Sequence, residues 1–85
     1  MKTLTKKKFM VTGGGGLIGL EVCRQLADLG YTAHLFDLGE QINRIQEFIP
    51  KTVKVFYGSI VDLSSLRSAM DGCDVIIHLG ALLGV

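Results

Sequence analysis

Four consecutive glycines between two apolar segments constrain the fold of this chain more than any other feature. They lie in the stretch Thr12-Gly-Gly-Gly-Gly-Leu-Ile-Gly19. The residues before them have the pattern of a strand, and apolar residues recur every three or four positions after them, as in a helix. The glycines fit both GxGxxG and GxxGxxG spacing. In either case an early glycine permits a tight turn, Gly16 presents bare backbone, and Gly19 lets the helix lie close to the sheet.

The chemistry of such a turn favours a bound diphosphate. The free amide groups at the start of the helix and the positive end of its dipole would face the anion. A nucleoside-triphosphate loop needs a lysine after its last glycine, but Leu20 and Glu21 follow Gly19 here. The turn therefore indicates a dinucleotide site and argues against a P-loop NTPase.

Asp37 supplies a second signal, because it ends the next predicted strand. An acid at that place can accept hydrogen bonds from the ribose hydroxyls of a dinucleotide's adenosine. Its negative charge also repels a 2′-phosphate, so the sequence predicts NAD rather than NADP. Arg44 could reach back toward a 2′-phosphate, but nothing in the sequence fixes its direction.

Strand and helix patterns alternate along the whole chain. The predicted strands cover residues 8–12, 31–36, 53–57 and 75–77, and the predicted helices cover 17–29, 42–49 and the stretch between Asp62 and Gly72. Right-handed crossovers make this a parallel sheet with the strand order 3-2-1-4 and three crossover helices. The predicted fold class is α/β, a partial Rossmann-type sheet of four strands.

Side-chain patterns also predict how these elements pack. The residues expected on the buried side of the helices are Ile18, Val22, Leu26 and Leu29 in the first, Ile42, Ile45, Phe48 and Ile49 in the second, and Leu63, Leu66 and Met70 in the third. Asp62 is the expected N-cap of the third helix. The uninterrupted run 75–77 is typical of a parallel strand covered on both faces.

Composition and charge narrow the function classes. The chain has 85 residues, 48% of them hydrophobic and 20% charged, which suits a small globular domain or part of one. Lys2, Lys6, Lys7 and Lys8 crowd the start, and residues 1–7 are predicted to form a solvated basic tail. The remainder carries five basic against eight acidic residues, which argues against a nucleic-acid surface.

Cysteine usage and hydropathy exclude further classes. Cys23 and Cys73 lie far apart, so neither a disulfide scaffold nor a metal site is predicted, and a cytoplasmic location fits. No signal-peptide pattern is visible. The most apolar stretch, 75–85, is well short of the roughly 20 residues that a membrane-spanning helix needs, so no membrane partner is expected.

Four segments carry a resemblance to a known family. They are Phe9-Met10-Val11-Thr12-Gly13-Gly14-x-Gly16-Leu17-Ile18-Gly19, Phe36-Asp37, Gly58-Ser59-Ile60-x-Asp62 and His78-Leu79-Gly80-Ala81. The chain resembles the extended short-chain dehydrogenase/reductases, and within them it is most similar to the NAD-dependent epimerase/dehydratase group acting on nucleotide sugars. The resemblance identifies residues 8–85 as the N-terminal part of an NAD(P)-binding Rossmann domain.

The resemblance implies roles for individual residues. The glycine turn with Leu17 and Ile18 would hold the pyrophosphate, Asp37 would bind the ribose, and the loop after strand 3 would cover the adenine. Family members often carry Asp directly after the glycine of that loop; Ser59 stands there in this chain and accepts a hydrogen bond more weakly. His78 is interpreted as a packed strand residue. The predicted cofactor-binding residues are Gly13, Gly16, Leu17, Ile18, Gly19, Asp37, Ser59, Ile60, Leu79, Gly80 and Ala81.

The family's chemistry needs a Tyr-x-x-x-Lys pair, which this chain lacks. Tyr31 is followed four positions later by Leu35, and Tyr57 by Val61, so no catalytic residue is predicted. The resemblance implies a parent enzyme that oxidises a sugar hydroxyl with NAD, whereas the 85 residues alone are expected to be inactive and to bind NAD weakly. The alternatives are a non-catalytic dinucleotide-binding or sensor module, and another Rossmann protein such as a methyltransferase or flavoprotein.

The predicted strand order also bears on assembly. Strand 4 lies at one end of the sheet, and its outer edge has no partner within the 85 residues. Together with the apolar residues 82–85, this edge predicts self-association. The resemblance implies a homodimer, and a nucleotide-sugar substrate, only for the full-length parent.

Overall fold

The computed structural model describes residues 7–80 of the chain. Its strands are β1 (Lys8–Thr12), β2 (Thr32–Asp37), β3 (Lys54–Tyr57) and β4 (Val75–His78). Its helices are α1 (Leu17–Asp28), α2 (Gly39–Ile45) and α3 (Leu63–Met70), and a 3₁₀ turn, Gln46–Phe48, follows α2. Apart from Lys7, the predicted basic tail lies outside the described residues, as do Ala81 and residues 82–85.

All four strands are parallel, and their order across the sheet is β3-β2-β1-β4. In the central strand β1, Val11 pairs with Leu35 of β2 on one side and with Ile77 of β4 on the other. This confirms the predicted partial Rossmann-type fold. Because the strands are parallel, the loops that follow them meet at one edge of the sheet, where ligands of such folds bind.

The sheet separates two apolar clusters, because successive side chains of a strand point to opposite faces. The larger cluster consists of Val11, Cys23, Leu26, Ala33, Leu35, Ile42, Ile45 and Val53. The smaller cluster consists of Met10, Phe36 and Ala69. Helix α1 thus covers one face of the sheet, and α3 packs on the other face against β2 and β3.

The predicted buried face of α1 was partly wrong. The buried residues of α1 are Gly19, Cys23 and Leu26, whereas Ile18 is 72% exposed and Leu29 is 62% exposed. A close contact between Gly19 and the glycine turn sets the rotation of the helix. Ile18, one position away, is therefore turned away from the sheet and toward solvent. Leu29 lies past the last helical residue as the C-cap.

Three further packing predictions were wrong. Phe48 lies in the 3₁₀ turn, where it is exposed, although Ile42 and Ile45 are buried as expected. In α3 the buried residue is Ala69, while Leu63 and Met70 are exposed. The run in β4 is not covered on both faces: Ile76 is 45% exposed, because the described helix on that side, α3, packs over β2 and β3 instead.

The start of α3 confirms Asp62 as its N-cap. The Asp62 carboxylate accepts hydrogen bonds from the Ser64 amide at 3.2 Å and from the Ser65 hydroxyl at 2.7 Å. The Ser65 hydroxyl is the main cause that lowers the pKa of Asp62 from its ordinary 3.8. A lowered folded-state pKa means that the carboxylate stabilises the fold above pH 3.8, and that this contribution is lost as the pH falls through the folded-state pKa.

Replacing Asp62 by Ala should therefore lower the melting temperature at neutral pH, because the cap of α3 is lost. Circular dichroism melts of the wild type and Asp62→Ala should differ at pH 7. The difference in melting temperature should shrink as the pH is taken well below 3.8. The wild-type Asp62 is then protonated and no longer carries the charge that caps the helix. A difference that stays constant with pH would contradict the role of the charged cap.

The two cysteines should differ in their reactivity toward iodoacetamide at pH 8. Cys23 is fully buried on the sheet-facing side of α1, and this burial raises the pKa of its thiol to about 12. Partial burial also raises the pKa of the Cys73 thiol, but Cys73 is only half-buried. Mass spectrometry of the native chain should find Cys73 labelled first and Cys23 labelled only in denaturant. Labelling of Cys23 first would contradict the packing of α1.

Candidate functional site

The glycine turn starts directly after β1 and is fastened to the end of β2. Gly13 has a φ of +72°, a conformation that favours glycine. The amides of Gly13 and Gly14 both donate to the carbonyl oxygen of Phe36, at 2.9 and 3.2 Å. The turn is therefore held in place by the neighbouring strand before any ligand binds.

Gly19 and Gly16 differ in the space that a side chain would find around them. A Cβ on Gly19 would collide with the Gly13 carbonyl oxygen and lie 2.6 Å from the Gly14 Cα, so Gly19 is required for α1 to rest on the turn. A Cβ on Gly16 would meet nothing closer than the Gly13 oxygen at 3.6 Å. No contact within residues 7–80 requires Gly16 to be glycine, and among these residues the backbone there is open to a group from outside.

The first turn of α1 carries unused hydrogen-bond donors. Gly16 is its N-cap and offers no side-chain cap, and the first turn has no acidic residue. Within residues 7–80, Leu20 is the first α1 residue whose amide donates to a helix-start carbonyl, that of Gly16 at 2.9 Å. The preceding amides and the helix dipole make this helix end attractive to an anion.

Asp37 ends β2 beside the turn and is held by two backbone amides. Its Oδ2 accepts a hydrogen bond from the Gly15 amide at 2.9 Å, and its Oδ1 accepts one from the Leu38 amide at 2.7 Å. A carboxylate can accept about four hydrogen bonds, so roughly two remain for a ligand. The structure thus holds the Asp37 carboxylate next to the helix end and leaves part of its hydrogen-bonding capacity for a ligand.

Two pockets open at this edge of the sheet and share Gly13. The Asp37 pocket is lined by Gly13, Phe36, Asp37, Leu38, Gly58, Ser59, Ile60 and Gly80. The helix-end pocket is lined by Gly13, Gly16, Leu17, Ile18, Gly19 and Leu79. Their polar groups are few, and apolar side chains form most of the walls. One long ligand with a charged centre could span both.

The predicted site residues fall into these two pockets, apart from Ala81, which lies outside the described residues. Leu17 and Ile18, expected near a pyrophosphate, are both largely exposed at the start of α1. Ser59 lines the Asp37 pocket, but its hydroxyl oxygen already accepts a hydrogen bond from the Val61 amide at 3.2 Å. Arg44 lies exposed in the last turn of α2 and lines neither pocket.

Sequence reasoning missed three lining residues, namely Phe36, Leu38 and Gly58. Phe36 and Leu38 flank Asp37, so their place at the end of β2 was a usable signal. His78 was interpreted as a packed strand residue; it lies in β4 but is exposed, and its Nδ1 is 2.6 Å from the hydroxyl of Thr12.

Residues 7–80 contain neither a cluster of metal-ligating side chains nor a helix that could span a membrane. No three His, Cys, Asp or Glu side chains in that part of the chain are grouped as metal ligands would be. None of the described helices has the length and apolar character that crossing a membrane requires.

Comparison with known proteins places this geometry in a family. The sequence model of the 3-beta hydroxysteroid dehydrogenase/isomerase family matches residues 10–85. The chain is 30% identical over 81 residues to a UDP-N-acetyl-alpha-D-glucosaminuronate decarboxylase from Bacillus cytotoxicus, covering 94% of this chain and 25% of that protein. It is 32% identical over 72 residues to the Mus musculus sterol-4-alpha-carboxylate 3-dehydrogenase, decarboxylating, covering 85% of this chain and 18% of the relative.

A solved structure agrees with these matches. It is a short-chain dehydrogenase/reductase superfamily protein from Agrobacterium tumefaciens with bound NAD, and it superposes with a TM-score of 0.70 at 28% identity over 91% of this chain and 21% of that one. The chain spans a quarter or less of the length of the two curated relatives named above. The resemblance to the extended short-chain dehydrogenase/reductases is confirmed, and the chain belongs to the 3-beta hydroxysteroid dehydrogenase/isomerase family within that group.

Proposed function

We propose that this chain is the NAD-binding part of an oxidoreductase that interconverts a secondary alcohol and a ketone. The observation that carries the proposal is Asp37, whose carboxylate is held by the Gly15 amide between a bare helix end and an apolar pocket. A dinucleotide needs that combination: donors for its diphosphate, an acceptor for its ribose hydroxyls and an apolar surface for its base.

The residues present fit the adenosine diphosphate half of NAD. The uncapped amides of α1 would hold the diphosphate, and the open backbone at Gly16 leaves room for it. Asp37 would accept the ribose hydroxyls, and its fixed charge disfavours the extra phosphate of NADP. The apolar side chains of Leu38 and Ile60 would border the adenine.

The helix-end pocket, which Leu17, Ile18 and Leu79 line, would take the diphosphate and the start of the nicotinamide half. Bound NAD supplies hydride acceptance from a carbon that carries a hydroxyl group. Neither Tyr31 nor Tyr57 is followed by a lysine four positions later, so we assign no proton transfer to this chain. Residues 8–85 are proposed as the N-terminal part of the coenzyme domain of a longer enzyme.

For that longer enzyme we propose a nucleotide sugar as the substrate. The support is the identity of 30% to a UDP-sugar decarboxylase over most of this chain.

Free cysteines, Cys23 and Cys73, support a reducing, cytoplasmic location.

Isothermal calorimetry of the 85-residue chain tests the proposal. NAD and ADP-ribose should bind with similar dissociation constants, well above micromolar, because the described residues fit the adenosine diphosphate half. NADP should bind more weakly, and nicotinamide mononucleotide should not bind measurably. Tighter binding of NADP than of NAD, or of the mononucleotide than of ADP-ribose, would refute the assignment.

We also propose that the chain self-associates through the outer edge of β4. That edge has no partner among residues 7–80, and Ile76 beside it is 45% exposed, whereas the other edge strand, β3, carries the exposed Lys54. Sedimentation velocity should show a mass that rises with concentration, and Ile76→Lys should reduce this rise. A stable monomer at high concentration would count against the proposal.

A further inference from the structure

The hydroxyl of Thr12 joins the glycine turn to the segment that follows β4. Thr12 is the last residue of β1 and is 1% exposed. Its Oγ1 accepts hydrogen bonds from the Leu79 amide at 3.0 Å and from the Gly80 amide at 3.2 Å. The same Oγ1 lies 2.6 Å from Nδ1 of His78. Three polar partners therefore converge on one buried oxygen.

The number of lone pairs on this oxygen decides where its proton points. A hydroxyl oxygen has two lone pairs and one proton. The two amides occupy the lone pairs, so the proton of Thr12 is donated to Nδ1 of His78. In this arrangement Nδ1 of His78 accepts the Thr12 proton, and the imidazole carries its own proton on Nε2. The imidazole acts as an acceptor that fixes the direction of the Thr12 hydroxyl.

The segment held in this way borders both pockets. Leu79 lines the helix-end pocket and Gly80 lines the Asp37 pocket. The fit against the turn is tight, because a Cβ on Gly13 would lie 2.7 Å from the Gly80 amide nitrogen and 2.9 Å from the Leu79 carbonyl carbon. A shift of Leu79 or Gly80 would change the width of both pockets where they meet.

We propose that His78 is a positioning residue for the coenzyme site, and that it acts through the hydroxyl of Thr12 to hold Leu79 and Gly80 against the glycine turn. The effect on coenzyme affinity rests on the proposed function, but the hydrogen bonds themselves are testable without coenzyme. Among the described residues, His78 is the one ionisable side chain that contacts the Thr12 hydroxyl. The carboxylate of Asp74, which accepts a hydrogen bond from the Lys8 amide, lies at the opposite end of the β1–β4 pair.

The second histidine, His34, supplies an internal reference for the protonation state. Its Nδ1 lies 2.7 Å from the Ala69 carbonyl oxygen, which can only accept, so His34 carries its proton on Nδ1. Its Nε2 is buried and has no hydrogen-bond partner among residues 7–80. The two histidines of the chain should therefore be opposite tautomers.

The first test is a ¹⁵N NMR measurement of the imidazole nitrogens in the wild-type chain at pH 8. The expected spectrum has a pyridine-like Nδ1 in His78 and a pyridine-like Nε2 in His34. In Thr12→Val, the tautomer ratio of His78 should fall to that of a solvated imidazole, while His34 keeps its own tautomer. A proton on Nδ1 of His78 in the wild type would overturn the proposal without any variant being needed.

The second test is amide hydrogen exchange of Thr12→Val, with Thr12→Ser as the matched control that keeps the hydroxyl. Among the described residues the Gly80 amide has the Thr12 hydroxyl as its acceptor, whereas the Leu79 amide also donates to the Thr12 carbonyl oxygen at 3.0 Å. Exchange at Gly80 should be faster in the valine variant than in the serine variant, with a smaller change at Leu79. Equal exchange at Gly80 in both variants would contradict the proposal.

The third test is NAD affinity by calorimetry. Thr12→Val and His78→Phe should each weaken binding about five- to tenfold, the equivalent of one hydrogen bond, and Thr12→Ser should stay close to the wild type. The double variant should bind no more weakly than Thr12→Val, because His78 acts through the Thr12 hydroxyl. Fully additive losses would refute that route. Should the wild type bind no NAD, the proposed function fails, while the tautomer and exchange results still decide the positioning role.

Discussion

Replacing Asp37 by Ala should weaken NAD binding by about ten- to a hundredfold, the range for hydrogen bonds to a charged group, about 1.5–3 kcal/mol. The carboxylate is held beside the helix end by the Gly15 and Leu38 amides, so it needs little reorganisation to meet the ribose hydroxyls. Calorimetry with NAD measures the loss. Asp37→Asn should narrow the preference for NAD over NADP, because it removes the charge that repels a 2′-phosphate.

Asp74→Ala is the matched control for this experiment. Asp74 also accepts a hydrogen bond from a backbone amide, that of Lys8 at 2.8 Å, but at the opposite end of the sheet. Asp74→Ala should therefore lower the free energy of unfolding, because a hydrogen bond to the backbone is lost. It should leave the NAD affinity unchanged. Equal losses in Asp37→Ala and Asp74→Ala would show that Asp37 acts through the fold and not through the coenzyme.

Gly19→Ala and Gly16→Ala should separate stability from binding. At Gly19 the added Cβ meets backbone atoms of Gly13 and Gly14 that cannot rotate away. Overpacking of this kind costs roughly 1–3 kcal/mol, more than the ~0.5–1 kcal/mol that alanine gains over glycine within a helix. Thermal or urea unfolding should therefore show Gly19→Ala to be clearly less stable than the wild type.

Gly16→Ala should have the opposite profile. The backbone conformation of Gly16, with φ −86° and ψ 172°, is one that any residue can adopt, and among residues 7–80 an added Cβ has no contact closer than 3.6 Å. The free energy of unfolding should be nearly unchanged, while the methyl group occupies the space where the diphosphate would approach. Unchanged NAD affinity in Gly16→Ala would place the diphosphate elsewhere.

The parts of the site that the sequence predicted correctly are marked by patterns among residues that are close together in the chain. The glycine turn is recognisable because the strand, the glycines and the helix are contiguous, and Asp37 because an acid directly ends the next strand. The strand order followed from the alternation of elements, since parallel crossovers leave few arrangements.

The parts that were mispredicted or missed depend on long-range geometry. The exposure of Ile18 follows from the rotation of α1, which the contact of Gly19 with Gly13 sets. The exposure of Ile76 follows from where α3 packs. The hydrogen bond between Thr12 and His78 joins residues that are 66 positions apart, and no local sequence pattern in either segment predicts it.

A ¹H–¹⁵N NMR titration of the chain with NAD tests directly whether the glycine turn and Asp37 hold the coenzyme. The largest amide shifts should occur at the start of α1, from Gly16 to Gly19, and around Asp37. They should largely disappear in Asp37→Ala at the same NAD concentration. Shifts concentrated away from the glycine turn, or a pattern that Asp37→Ala leaves intact, would contradict this role of the turn and Asp37.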